Sequence, residues 1–139
     1  MRVVTAIPGQ RISVQLEGPE RVALGQPVPL TLVVSNLADK PVDLVVGAFP
    51  KPVGFDVFVR RLDGTVVFHR LDPSFGVLPL AARRLRLDAG GAERVTYTWD
   101  QRATDGQPLS AGRYQVQAFL LWEGGSVPTG VRTLQIEAG

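Results

Sequence analysis

Between Val95 and Trp122, apolar side chains recur at every second position on both sides of a polar turn. Val95, Tyr97 and Trp99 come before it, and Tyr114, Val116, Ala118, Leu120 and Trp122 after it. Successive side chains of a β-strand point to opposite faces, so a period of two marks a half-buried strand, whereas a helix repeats every 3.6 residues. The stretch therefore demands two strands that each lay one face on an apolar core. The connection Leu109-Ser-Ala-Gly-Arg-Tyr114 adds a second constraint. A tyrosine that enters a strand in this way returns its hydroxyl to the backbone a few residues upstream and fixes the join between two sheets.

The same period recurs along the chain. Ile12, Val14 and Leu16 form one set, Leu30, Leu32 and Val34 another, then Phe55, Val57 and Val59, and finally Leu134 and Ile136. Asp63-Gly64 between Phe55–Val59 and Val66–Phe68 is a hairpin turn signal. Leu85 and Leu87 alternate with Arg84 and Arg86, and Val42–Val46 opens a further strand. No window combines a helical period with caps. The fold expected is all-β, an immunoglobulin-like antiparallel β-sandwich of about eight to ten strands over residues 11–139, after an N-terminal arm of residues 1–10. Arg21–Leu24 reads as a short extended lead-in, 70–82 as a crossing between the sheets, and 123–130 as a flexible loop.

With 139 residues the chain has the length of one domain, and a domain of this size buries about 68–70% of its unfolded surface without staples. It contains no cysteine, so disulfides, thiolate metal sites and cysteine nucleophiles are excluded. The start, Met1-Arg-Val-Val-Thr-Ala-Ile-Pro8, has too short an apolar run for a secretory leader, and no stretch approaches the roughly 20 apolar residues of a membrane span. A cytoplasmic location without a membrane span is the expectation. Of 15 basic residues 13 are arginines, but they are scattered through strands and turns, densest at Arg83, Arg84 and Arg86. Nucleic-acid binders gather charge on one face with stacking aromatics between; here the aromatics take core positions, so no nucleic-acid partner is expected.

The chemistry-bearing residues are few. His69 is the only histidine, and a lone strand histidine reads as a surface or edge residue. No Gly-x-Ser-x-Gly elbow, Ser-x-x-Lys or phosphate-cradling glycine motif occurs. Asp100 and Asp105 flank the turn after Trp99, and carboxylates there cap turns through backbone amides more readily than they build a calcium site. Neither an enzyme nor a cofactor nor a metal site is expected.

The ordered features Leu30-Thr-Leu-Val-Val-Ser-Asn36, Phe55-Asp-Val-Phe-Val59, Asp63-Gly64, Phe75, Tyr97-Thr-Trp-Asp100 and Gly106-Gln-Pro-Leu-Ser-Ala-Gly112-Arg-Tyr114 resemble the bacillus-type intracellular proteinase inhibitor (BsuPI) family. The resemblance covers roughly residues 11 to 122, and departs from the family where Val67-Phe68-His69 stands in place of a strand with a tryptophan or another aromatic. It implies a protein-binding domain whose partner is a subtilisin-like serine proteinase, with a non-inhibitory immunoglobulin-like interaction or envelope module as the alternative. It carries over no reactive bond.

An inhibitor must present an extended segment stiff enough to lose little entropy on binding. Two stretches meet that need. Phe49-Pro-Lys-Pro-Val53 is proline-stiffened, with Phe49, Lys51 and Val53 as candidate contacts, and Gly76-Val-Leu-Pro-Leu80 offers Val77, Leu78 and Leu80. For each stretch the competing reading is a connection that only covers the core, and Phe75 reads as a core plug.

Overall fold

The computed structural model describes residues 11–48, 55–70, 81–122 and 125–138. Among them every regular element is a strand: β1 (Ile12–Glu17), β2 (Arg21–Ala23), β3 (Val28–Asn36), β4 (Val42–Ala48), β5 (Phe55–Arg61), β6 (Val66–His69), β7 (Ala81–Leu87), β8 (Ala92–Trp99), β9 (Gly112–Trp122), β10 (Gly125–Pro128) and β11 (Arg132–Glu137). No helix among the described residues is long and apolar enough to cross a membrane.

The strands form two sheets. The smaller has the order β1-β3-β8 and is antiparallel throughout; the larger holds the other eight around β9. The alternating residues turn inward as the period requires. Trp99, Phe55, Ala118, Leu120 and Ile136 are fully buried, with Tyr114, Val116 and Leu134 almost so, in one core shared by both sheets. The tyrosine corner is present: the Tyr114 hydroxyl donates to the Ser110 carbonyl at 2.7 Å.

The expected sandwich is found, with eleven strands among the described residues, because two short segments pair. Arg21–Ala23 runs parallel to β11, an exception in an otherwise antiparallel fold, and 125–128 pairs with β9 instead of forming a loop. Where a crossing between sheets was expected over 70–82, the flanking strands β6 and β7 lie in the same large sheet. Register explains why. Trp122 faces Gly125 on one side and Val46 on the other, and Leu120 faces Val127 and Phe55, so β4 and β5 follow one another along the same edge of β9. β7 pairs with β4 and β6 with β5. The four strands are thus one two-stranded ribbon interrupted once on each strand.

Two buried amides fasten the ends of the sandwich. Asn36 donates from Nδ2 to the carbonyls of Lys40, Leu87 and Asp88 and accepts at Oδ1 from the Ala38 N–H. Gln101 donates from Nε2 to the Ala23 and Gln26 carbonyls and accepts at Oε1 from Gly25 N–H, with a left-handed φ of 63°. Buried amides need such partners, since an unsatisfied group costs its full desolvation. Between β10 and β11 the ladder to β9 is carried across by Thr129, whose hydroxyl accepts from Ala118 N–H.

Candidate functional site

The six candidate contacts Phe49, Lys51, Val53, Val77, Leu78 and Leu80, together with Phe75 and the N-terminal arm, lie outside the described residues. What is described is the frame from which their two stretches depart. On one side of the interruption Ala48 pairs with Ala81; on the other Phe58 pairs with His69 and the Arg70 N–H donates to the Val57 carbonyl. Both stretches therefore leave the ribbon at one level.

Arg70 stands at that level with its guanidinium turned toward the gap between the sheets. Nη1 donates to the Phe55 carbonyl at 2.8 Å, and the guanidinium carbon lies 4.2 Å from the Tyr97 ring centroid and 5.2 Å from that of Phe55. A planar cation can stack on an aromatic face while its N–H groups bond in plane, which lysine cannot do. Burial lowers the Arg70 pKa from its ordinary value, while the neighbouring Tyr97 and Asp56 act to raise it. The Tyr97 hydroxyl is pushed up, first by burial and secondarily by Asp100, with Arg70 opposing. Behind it, Phe68 stacks parallel to Tyr97 and tilts against Trp99.

The outer face of the same strands carries a second cluster. Asp56, Phe58 and Arg60 are the outward positions of β5, and Phe119 and Gln117 those of β9 opposite them. His69 Nε2 lies 2.6 Å from Asp56 Oδ2, and its ring stacks on Phe58 at 4.1 Å. Phe119 meets Phe58 edge-on, and the Arg60 guanidinium caps that ring at 5.2 Å. Among the described strands β6 pairs only with β5, so His69 lies on an edge strand as expected, half-buried and paired with a carboxylate. Sequence reasoning missed the pair because it is a diagonal contact: His69 pairs with Phe58, and Asp56 lies two residues further along β5. Counting back from the Asp63-Gly64 turn sets Phe58 opposite His69, as observed, but does not show which neighbour on that face the imidazole meets.

Chemically, this arrangement orients and stiffens. Among the described residues, the His69 ring makes its side-chain hydrogen bond with Asp56, and its own backbone N–H donates to Thr104 Oγ1. No hydroxyl nucleophile is bonded to the imidazole among those residues, and no group of three or more metal-ligating side chains gathers there. Asp100 and Asp105 each cap a turn, accepting from the backbone N–H of Arg102 and Gln107.

No family model matches the chain, and no curated protein does. Solved structures do. A Listeria innocua β-glucosidase in complex with isofagomine is 14% identical with a TM-score of 0.51 over 94% of this chain, which spans only 16% of that enzyme. The CARDB domain of a Pyrococcus furiosus protein is 16% identical over 96% of this chain and 92% of its own, with a TM-score of 0.49. The Pseudomonas fluorescens alkylpurine DNA glycosylase AlkC bound to DNA is 18% identical over 94% of this chain and 31% of its own, also at 0.49. At such identities a likeness is one of fold alone. Together with the two stacked sheets and the tyrosine corner, it makes the chain an immunoglobulin-like β-sandwich.

Proposed function

We propose that this domain binds a protein, and that its partner is a serine proteinase of the subtilisin kind, which it inhibits. The inhibitor reading rests on the resemblance of residues 11 to 122 to the bacillus-type intracellular inhibitors. It is supported by one structural observation: Ala48 opposite Ala81 and Phe58 opposite His69 bring the departure points of both candidate stretches to one level, and Arg70 ties the last residue before one to the first after the other. A binding surface built on fastened ends loses less entropy on association than one on free ends. The same fastening serves a non-inhibitory interaction or envelope module, which is the second reading.

Titration of the purified chain into subtilisin with a chromogenic peptide separates the two. Progressive loss of hydrolysis is the outcome expected; unchanged activity at large molar excess rejects inhibition and leaves the interaction module. Given inhibition, Phe49→Asp and Leu78→Asp test the two stretches, and full inhibition by both variants rejects the choice of contacts.

A further inference from the structure

At the β2–β3 and β8–β9 connections the chain forms an open groove of about 440 Å³, within the range of roughly 300–1,000 Å³ common for ligand clefts. It lies wholly in described residues. Leu24, Pro108 and Leu109 give it an apolar lining, and Leu24 keeps 42% of its surface exposed. Asp100 and Arg102 stand at its rim, their side chains 69% and 55% exposed.

The groove is held stiff. Gln101 lies beneath it in a left-handed conformation that costs a non-glycine residue of the order of 1–2 kcal/mol, and its amide clamps the Ala23, Gly25 and Gln26 backbone to the facing connection. Strain kept at a groove by full hydrogen bonding is a feature of ligand sites. The connection is further tied by the Trp99 indole N–H donating to the Arg102 carbonyl and by the Arg102–Pro108 bridge.

The rim charges are unequal in what they can offer. Arg102 is turned back on its own connection: Nη1 donates to the Gly106 carbonyl at 3.0 Å and Nε lies 3.9 Å from Asp100 Oδ2. Asp100 uses Oδ1 to accept the Arg102 backbone N–H, while Oδ2, held among the described residues only by the loose 3.9 Å contact with Arg102 Nε, belongs to a side chain 69% exposed at the edge of the apolar lining. We propose that this groove binds an extended peptide carrying a bulky apolar side chain beside a lysine or arginine, the apolar group on Leu24 and Leu109 and the cation at Asp100. The site is separate from the ribbon interruption, so it stands or falls independently of proteinase inhibition.

The test is a two-dimensional amide NMR titration of the intact chain with acetyl-Leu-Lys-Leu-amide, acetyl-Leu-Glu-Leu-amide and acetyl-Ser-Lys-Ser-amide. The lysine–leucine peptide is expected to give saturable shifts at Gly25, Gln101, Arg102 and Leu109, with the other two weaker by about threefold to fivefold, the size of an exposed ion pair. Asp100→Asn keeps the turn cap and Leu24→Ser alters an exposed side chain, so both variants fold; each is expected to weaken binding by a similar factor. Absence of saturable shifts at these amides, equal affinity for the acidic peptide, or undiminished binding by both variants overturns the proposal.

Discussion

Arg70 Nη1 and the Phe55 carbonyl are 2.8 Å apart, a charge-assisted bond across the interruption of the ribbon, with the guanidinium resting on the Tyr97 ring. A half-buried carbonyl that loses such a donor is left without compensation. Arg70→Met is expected to destabilise the domain by about 2–3 kcal/mol, the sum of a charged hydrogen bond and a partly desolvated cation–π contact. Arg70→Lys restores less than half of this, since an ammonium cannot stack and bond in the same plane. Urea unfolding of the three proteins, with unchanged m-values, checks both statements.

Alkaline stability follows from Tyr97. Its folded pKa is raised, so the unfolded chain ionises first as pH climbs. The stabilisation is therefore fully present below the unfolded value of about 10 and is lost as pH rises through the folded value. Tyr97→Phe is expected to flatten the fall of stability above that pH relative to the parent chain. Denaturant midpoints measured from neutral pH into the alkaline range give the comparison; parallel profiles for the two proteins contradict it.

Asn36 donates to three carbonyls, so the charge of its replacement matters more than its shape. Asn36→Asp sets a carboxylate oxygen against those carbonyls and is expected to cost about 3–5 kcal/mol at neutral pH, more than Asn36→Ala at about 2–3 kcal/mol, because a buried charge facing three carbonyls, with the Ala38 N–H still donating to its other oxygen, is worse than an absent group. Thermal unfolding of both variants establishes the order.

Gln101 combines strain with bonding, and the two separate by substitution. Gln101→Ala and Gln101→Gly both forfeit the amide's hydrogen bonds, but glycine adopts a φ of 63° freely. The glycine variant is expected to be the more stable of the two by about 1 kcal/mol. Equal stabilities by chemical denaturation refute a strained backbone at this position.

The strands that were legible in the chain are those with an unbroken period of two. Tyr114, Val116, Ala118 and Leu120 announce both the strand and its buried face, and Gly112-Arg-Tyr114 announces the tyrosine corner. β2 and β10 were not legible, since three or four residues beside glycines and prolines carry no readable period and owe their pairing to β11 and β9. The sheet membership of β7 was hidden for a related reason: it depends on Val46 meeting Trp122, a pairing between residues far apart in sequence. The roles of Asn36, Gln101 and Arg70 were equally hidden, because a polar side chain in a turn or at a strand end does not disclose which distant carbonyl it serves. The His69–Asp56 pair was hidden because it runs diagonally across the hairpin, Asp56 lying two residues along β5 from Phe58, the cross-strand partner of His69.

The doubly interrupted ribbon separates what must be kept from what is free to vary. Among the described residues, β4 pairs with β7 on one side of the break and β5 with β6 and β9 on the other. Lengthening either of the two connecting stretches adds a closure entropy that grows with the logarithm of its length, about 0.6 kcal/mol per doubling. The framework can thus accept grafted segments of differing length and chemistry at a single station, as a socket accepts interchangeable heads.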